Sequence, residues 1–296
     1  MRVLLIISWG VLLLSSFKKS GEPKLKLPSD FALIPGGAFS MPDNSCCMHD
    51  TSIARYTVQK FYLSKFEVSN QRYREFLDDV SPTLTPAARA LITCDSSAWN
   101  TFRIAANIHF SASSYHRDPA YNEHPVVNIS YDAALQYCNW LQQKLQQGNP
   151  AYVVEVRLPN KVEWIWAAMG GRSQAMFPWG EYYLTNRKGE PMCNFKQVDE
   201  GSLYRNRETG APVVAPGSDL WLRSIPTRDV KSYTANDYGL YNICGNAAEM
   251  VAEKKISMGG SWNDYGGDIQ IRREGRYQTS SPSLGFRPLI IITDRP

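Results

Sequence analysis

Hydrophobic and polar residues along this chain fall into a few regular stretches separated by long irregular ones. Between Val58 and Phe66 apolar residues alternate with polar ones, which predicts a half-buried strand. The period then changes. Ser69 or Asn70 can cap a helix that carries Tyr73, Phe76 and Leu77 at three-to-four spacing. Ala134, Tyr137, Cys138, Leu141 and Leu145 fall on one face of a second helix. Asn160 followed three positions later by Glu163 has the form of a capping box, and predicts a third helix through Trp164, Ala167 and Ala168. Residues 81–123 are less regular and more polar, with Trp99, Phe102, Phe110 and Tyr115 scattered among them. No internal repeat or low-complexity block appears. Periodicity alone gives an α+β chain.

The N-terminus reads as a targeting segment. Arg2 supplies a positive start, and Val3 to Leu14 form an apolar run broken by Ser8 and Gly10. The run is short for a membrane span, so a cleaved signal peptide over residues 1–16 is expected, with no stable membrane span after cleavage; an uncleaved anchor is the alternative. Leu13-Leu14-Ser15-Ser16 resembles the approach to a bacterial lipoprotein cleavage site, but Phe17 stands where the lipidated cysteine would be. The expectation is an exported, unlipidated protein of the periplasm or cell envelope. Residues 17–29, polar with two prolines at Pro23 and Pro28, read as a linker. Residues 30–296 form one domain.

The chain has 296 residues, 43% of them hydrophobic and 12% aromatic, enough for a sizeable core and too many for a disordered chain. The net charge of +4 comes without basic runs beyond Lys18-Lys19 and Lys254-Lys255, so nothing asks for nucleic acid. The six cysteines contain no C-x-x-C pair, which argues against zinc. Export permits disulfides, but Cys138 and Cys244 sit in apolar patterns that suit buried free thiols equally well. The four histidines show no i,i+4 pair and no His-Glu helical signature.

Candidate chemistry gathers near the C-terminus. Gly239-Leu240-Tyr241-Asn242-Ile243-Cys244-Gly245-Asn246-Ala247-Ala248-Glu249 is followed by Gly259-Gly260-Ser261-Trp262. An arginine pair at Arg273 and Arg276 comes next, and the stretch closes on Gly285-Phe286-Arg287. In order and spacing these pieces resemble the sulfatase-modifying-factor family, whose founding members are formylglycine-generating enzymes. Further pieces extend the resemblance from about Phe31 to Pro288. They are the opening Phe31-Ala-Leu-Ile-Pro35-Gly-Gly37-Ala-Phe39, Glu67-Val68-Ser69-Asn70, Arg157-Leu158-Pro159 with its helix, and Phe177-Pro178-Trp179-Gly180. The resemblance implies a single C-type-lectin-like α+β domain with much irregular loop. Pro119-Ala120-Tyr121 and Pro125-Val126-Val127, at the end of the irregular insertion, resemble a narrower subgroup of lipoproteins in gliding motility and type IX secretion.

The family's oxidases place two cysteines two and seven residues beyond the aromatic of GGS-aromatic, where the thiolates bind copper. Here those positions are Asp264 and Ile269. Soft sulfur suits Cu(I); a carboxylate is a hard donor and an alkyl group is none, so no copper is expected. Ala248 replaces the aromatic of the family's substrate pocket, and only Ser261 of that set remains. A second branch of the family, which joins sulfur to histidine derivatives, holds iron through an N-terminal helical domain that has no counterpart here.

The resemblance also implies structural calcium. One set carries over as Asn242, Gly245, Ala247 and Glu249, the other as Asn194, Phe195, Asp219 and Trp221. Side-chain oxygens would come from Asn242, Glu249, Asn194 and Asp219, and backbone carbonyls from the rest, a donor set that suits a hard cation. The competing assignment pairs Glu249 with an arginine such as Arg273 and binds no ion. The expected role is a catalytically inactive scaffold or binding component with protein partners in the cell envelope. The alternatives are an oxidase or other enzyme of the family, and a ligand binder with a variable surface between Trp262 and Gly285.

Overall fold

The computed structural model describes residues 25–42, 53–101, 113–197, 203–205, 207, 212–214 and 226–295. Its elements are, in chain order, strands β1 (Phe31–Ile34), β2 (Gly37–Pro42), β3 (Ile53–Val58) and β4 (Phe61–Ser64), then helices α1 (Asn70–Val80), α2 (Pro86–Ile92) and α3 (Tyr131–Gly148). Strand β5 (Tyr152–Arg157) and helix α4 (Lys161–Ala168) follow. The remainder is short strands: β6 (Leu203–Arg205), β7 (Pro212–Val214), β8 (Ala248–Met250), β9 (Ile256–Met258), β10 (Glu274–Arg276), β11 (Leu284–Gly285) and β12 (Leu289–Asp294).

The C-terminal β12 lies in the middle of an antiparallel sheet of order β1-β4-β12-β5, so the last strand is held between β4 and β5. Side chains of consecutive strand residues point to opposite faces. Leu289 accordingly joins the core of Ile34, Phe61, Leu63, Trp164 and Met258 on one face. Ile290 joins Tyr73, Phe76, Tyr137, Val156 and Phe286 on the other, under α1 and α3. A second sheet, of order β10-β9-β8-β11, has one parallel pair, β8 with β11; β2–β3 and β6–β7 are two-stranded.

The helices start where side-chain capping predicts. Ser69 accepts from the Arg72 N–H to open α1, and Ser130 from Ala133 to open α3. Asn160 and Glu163 form the reciprocal capping box of α4. Glu163 also takes both terminal nitrogens of Arg157 at 2.8 Å, so it caps and pairs at once. Helix α3 buries Ala134, Tyr137, Cys138 and Leu145 of the stripe read from its periodicity, with Leu141 half-buried against the same core. Cys94, Cys138, Cys193 and Cys244 are free thiols; Cys46 and Cys47 lie outside the described residues, as does the N-terminal segment with Phe17. Among the described residues no helix is long and apolar enough to cross a membrane.

Candidate functional site

The GLYN–GN–E segment runs between the two sheets and is built on left-handed backbone. Asn242, Gly245 and Asn246 have φ of 47°, 76° and 60°. At Gly245 a Cβ would meet the Asn194 carbonyl oxygen at 2.4 Å, so only glycine allows this approach. The Asn246 N–H donates to the same carbonyl at 2.7 Å. The two predicted metal sets therefore adjoin: Asn194 lies against Gly245 and Asn246, while Phe195 is buried beside Ile269. Asp219 and Trp221 lie outside the described residues.

This turn delivers Glu249 to the centre of the molecule, opposite Arg287. Arg287 is 0% exposed and Glu249 1%. Arg287 donates from Nε to Glu249 Oε2 at 2.7 Å and from Nη2 to Oε1 at 2.6 Å. Its remaining donors reach the carbonyls of Ser64 and Lys65 at 3.1 Å and of Tyr241 at 2.9 Å, so all five N–H groups have acceptors. Trp164 Nε1 of α4 donates to Glu249 Oε2 at 2.7 Å. The arginine paired with Glu249 is thus Arg287, not Arg273. Arg273 lies on the surface, 3.6 Å from Asp268.

A second buried carboxylate stands beside this pair. Glu67, 2% exposed, accepts from the amides of Asn242 and Asn246 and from the Ala247 N–H, at 3.0–3.3 Å. Burial pushes its carboxyl up to about 8. Arg287 pulls it down, Glu249 pushes it further up, and the two asparagine bonds pull it down. Sequence reasoning missed Glu67, because its neighbours Val68 and Ser69 are accounted for by packing and capping. The signal available was the motif: a carboxylate between two apolar residues, in the short link from β4 to α1.

These residues fit a cation only in part. Asn242 Oδ1 is buried and has no hydrogen-bond partner, as expected of an oxygen waiting for a ligand. The anionic donor of the set, Glu249, is already neutralised by Arg287. No group of three or more His, Cys, Asp or Glu side chains converges for a metal among the described residues.

The second candidate region is the cleft beside the GGSW turn, of about 440 Å³, lined by Ala248, Ser257, Gly260, Asp264, Arg273 and Glu274 among others. Gly260, at φ +62°, lets Ile269 close on the turn: a Cβ there would lie 2.7 Å from Ile269 Cγ2. Ile269 is 0% exposed and packs with Phe177, Cys193 and Phe195. Asp264 accepts from the Ser261 N–H at 2.8 Å and the Ser261 hydroxyl at 2.6 Å. Burial pushes the Asp264 carboxyl above the usual range, against the lowering by Ser261. Ser261 is fully buried and spent on this bond, so it offers no accessible nucleophile.

The Glu67 shift predicts a pH dependence. A carboxyl raised in the folded state keeps a proton that the unfolded chain releases near the ordinary value of 4.5. Its contribution is complete below that value and is lost as pH rises towards about 8. Glu67→Gln, which imitates the protonated form, should flatten this part of the profile. Urea midpoints of both proteins in chelator, between about pH 5 and about pH 9, read the effect; parallel profiles would show that Glu67 is ionised throughout.

The sulfatase-modifying factor enzyme 1-like domain matches residues 17–290. The chain is similar to the formylglycine-generating enzyme of Mus musculus, 26% identical over 246 residues, which cover 74% of this chain and 57% of that enzyme. It thus spans less than three fifths of that relative's length. It is also similar to the inactive C-alpha-formylglycine-generating enzyme 2 of Bos taurus, 25% identical over 288 residues, 86% of this chain and 85% of that protein. Among solved structures, PvdO from Pseudomonas aeruginosa shares the fold with a TM-score of 0.56 at 16% identity, covering 88% of this chain and 93% of that one. With the match spanning nearly the whole described fold, the chain belongs to the sulfatase-modifying factor enzyme 1-like family.

Proposed function

We propose that this protein is a family member without the copper oxidase chemistry, exported and used as a binding or scaffold component with protein partners in the cell envelope. One observation carries the reading: neither position that would bear a copper thiolate offers sulfur. Ile269 has become part of a closed apolar cluster, and Asp264 holds the GGSW turn through Ser261. Cu(I) needs soft donors, which a carboxylate does not replace. The bovine relative called inactive aligns over most of the chain and supports the reading. The PAYxxxPVV insertion motivates the narrower proposal of gliding motility or protein secretion. In the structure Asp118 caps its short helical turn, and the Tyr121 carbonyl accepts from Asn70.

With Cu(I), oxygen and a peptide bearing a sulfatase-type cysteine motif, the purified chain should leave the cysteine intact. Mass spectrometry reads the product, and conversion to an aldehyde would overturn the proposal.

Calcium is proposed as a structural ion, held through Asn242 with backbone carbonyls of Gly245 and Ala247, with Glu249 at its edge. A cation there would satisfy the partnerless Asn242 oxygen. Ions that bind only the folded state stabilise by mass action, roughly 2.7 kcal/mol at a hundredfold excess over Kd. Calcium should therefore raise the melting midpoint of wild type, and Asn242→Ala should remove the response. Glu249→Gln should destabilise with or without calcium, because it breaks the pairing with Arg287. A wild-type midpoint indifferent to chelator would leave Asn242 Oδ1 without a cation.

A further inference from the structure

Helix α1 and described residues of the stretch that follows it line a cavity of about 400 Å³ far along the chain from the GGSW cleft. Tyr73, Leu77, Cys94 and Val126 give it an apolar wall, and burial pushes the Cys94 thiol up to about 12, so it stays protonated. His116 faces into it. Its Nδ1 lies 3.2 Å from Asn70 Oδ1. The Asn70 amide nitrogen donates to the carbonyls of Tyr115 at 3.2 Å and Tyr121 at 3.0 Å, which fixes the orientation of the amide. The Asn70 oxygen can therefore only accept, and His116 Nδ1 must carry the proton. In a neutral imidazole the other nitrogen is then a bare acceptor.

His116 Nε2 is buried and has no hydrogen-bond partner. The ring is kept neutral first by burial and then by Arg74 and Arg117, which together hold it at about 4; Asp95 opposes them more weakly. Leaving such an acceptor dry is costly unless something else supplies a donor. The two arginines add charge to the same cavity. Arg74 donates to the His116 carbonyl and the Asn122 side-chain oxygen, both neutral acceptors. Among the described residues no carboxylate pairs with Arg117. Two guanidinium groups and no anionic donor disfavour a metal cation here. They favour an anion, and the bare nitrogen beside them favours one that carries its own donor.

We propose that this cavity binds a compact carboxylic acid with a hydroxyl or N–H donor next to the carboxylate. The carboxylate meets Arg117, with Arg74 adding charge, and the donor satisfies His116 Nε2. The site is independent of the cleft at Asp264, so it stands or falls apart from the absence of oxidase chemistry.

The test uses the full chain and two matched pairs of acids, lactate with propionate and mandelate with phenylacetate. Calorimetry gives affinities, and the His116 imidazole nitrogen resonance reports the contact. At least one hydroxy acid should bind about tenfold or more tightly than its partner lacking the hydroxyl, and should move the Nε2 signal. Arg117→Gln, at an exposed position, should weaken both members of the pair by about tenfold and keep their ratio. His116→Phe should abolish the preference for the hydroxyl. No binding of any of the four at millimolar concentration, equal binding within both pairs, or an Arg117→Gln protein that binds as wild type would overturn the proposal.

Discussion

The fold depends on the pairing of Glu249 with Arg287. Two charges this deeply buried are tolerable only when every donor and acceptor is met, and here the guanidinium has five acceptors and the carboxylate an extra donor from Trp164. The acceptors come from the end of β4, from Tyr241 and from β8, and the indole comes from α4. One side chain between β11 and β12 thus fastens both sheets and a helix. Removing either partner would strand a buried charge, which typically costs about 3–5 kcal/mol. The irregular GLYN–GN–E turn exists to deliver Glu249 to that point. Glycine at position 245 lets the turn run against Asn194.

Within that frame the GGSW turn is tied down by the two residues that stand where the family's oxidases carry copper thiolates. The GGSW turn is held from below by Ile269 and from within by the Asp264–Ser261 bonds. A buried isoleucine gains transfer free energy in an apolar cluster, and a hydrogen-bonded carboxylate caps the turn. In this chain Ile269 serves as a packed alkyl group and Asp264 as the acceptor for Ser261. The cleft remains open beside them, with Ala248 leaving room where the family's oxidases hold an aromatic ring.

Much of this was legible in the sequence. The α1 and α4 starts followed from Ser69 and Asn160 capping, because capping is local and needs no knowledge of the fold. The α3 stripe followed from its period. The partner of Glu249 did not: Arg273 and Arg287 are equivalent as residue types, and only the topology, which places residue 287 between β11 and the central strand β12, separates them. Glu67 was overlooked for a similar reason, since its burial depends on Asn242 and Asn246, about 180 residues away in the chain. The bare nitrogen of His116 depends on the hydrogen bonds of Asn70 and has no signature in sequence at all.

Cu(I) titration against a chelating competitor tests the central claim, that the frame is kept while the thiolate site is gone. Wild type is compared with the double variant Asp264→Cys, Ile269→Cys, which restores sulfur at both positions and serves to separate that site from the native thiols. The account predicts that the double variant takes up one tightly held Cu(I) more than wild type. Stoichiometric, competitor-resistant Cu(I) in wild type, unchanged by the two substitutions, would contradict it.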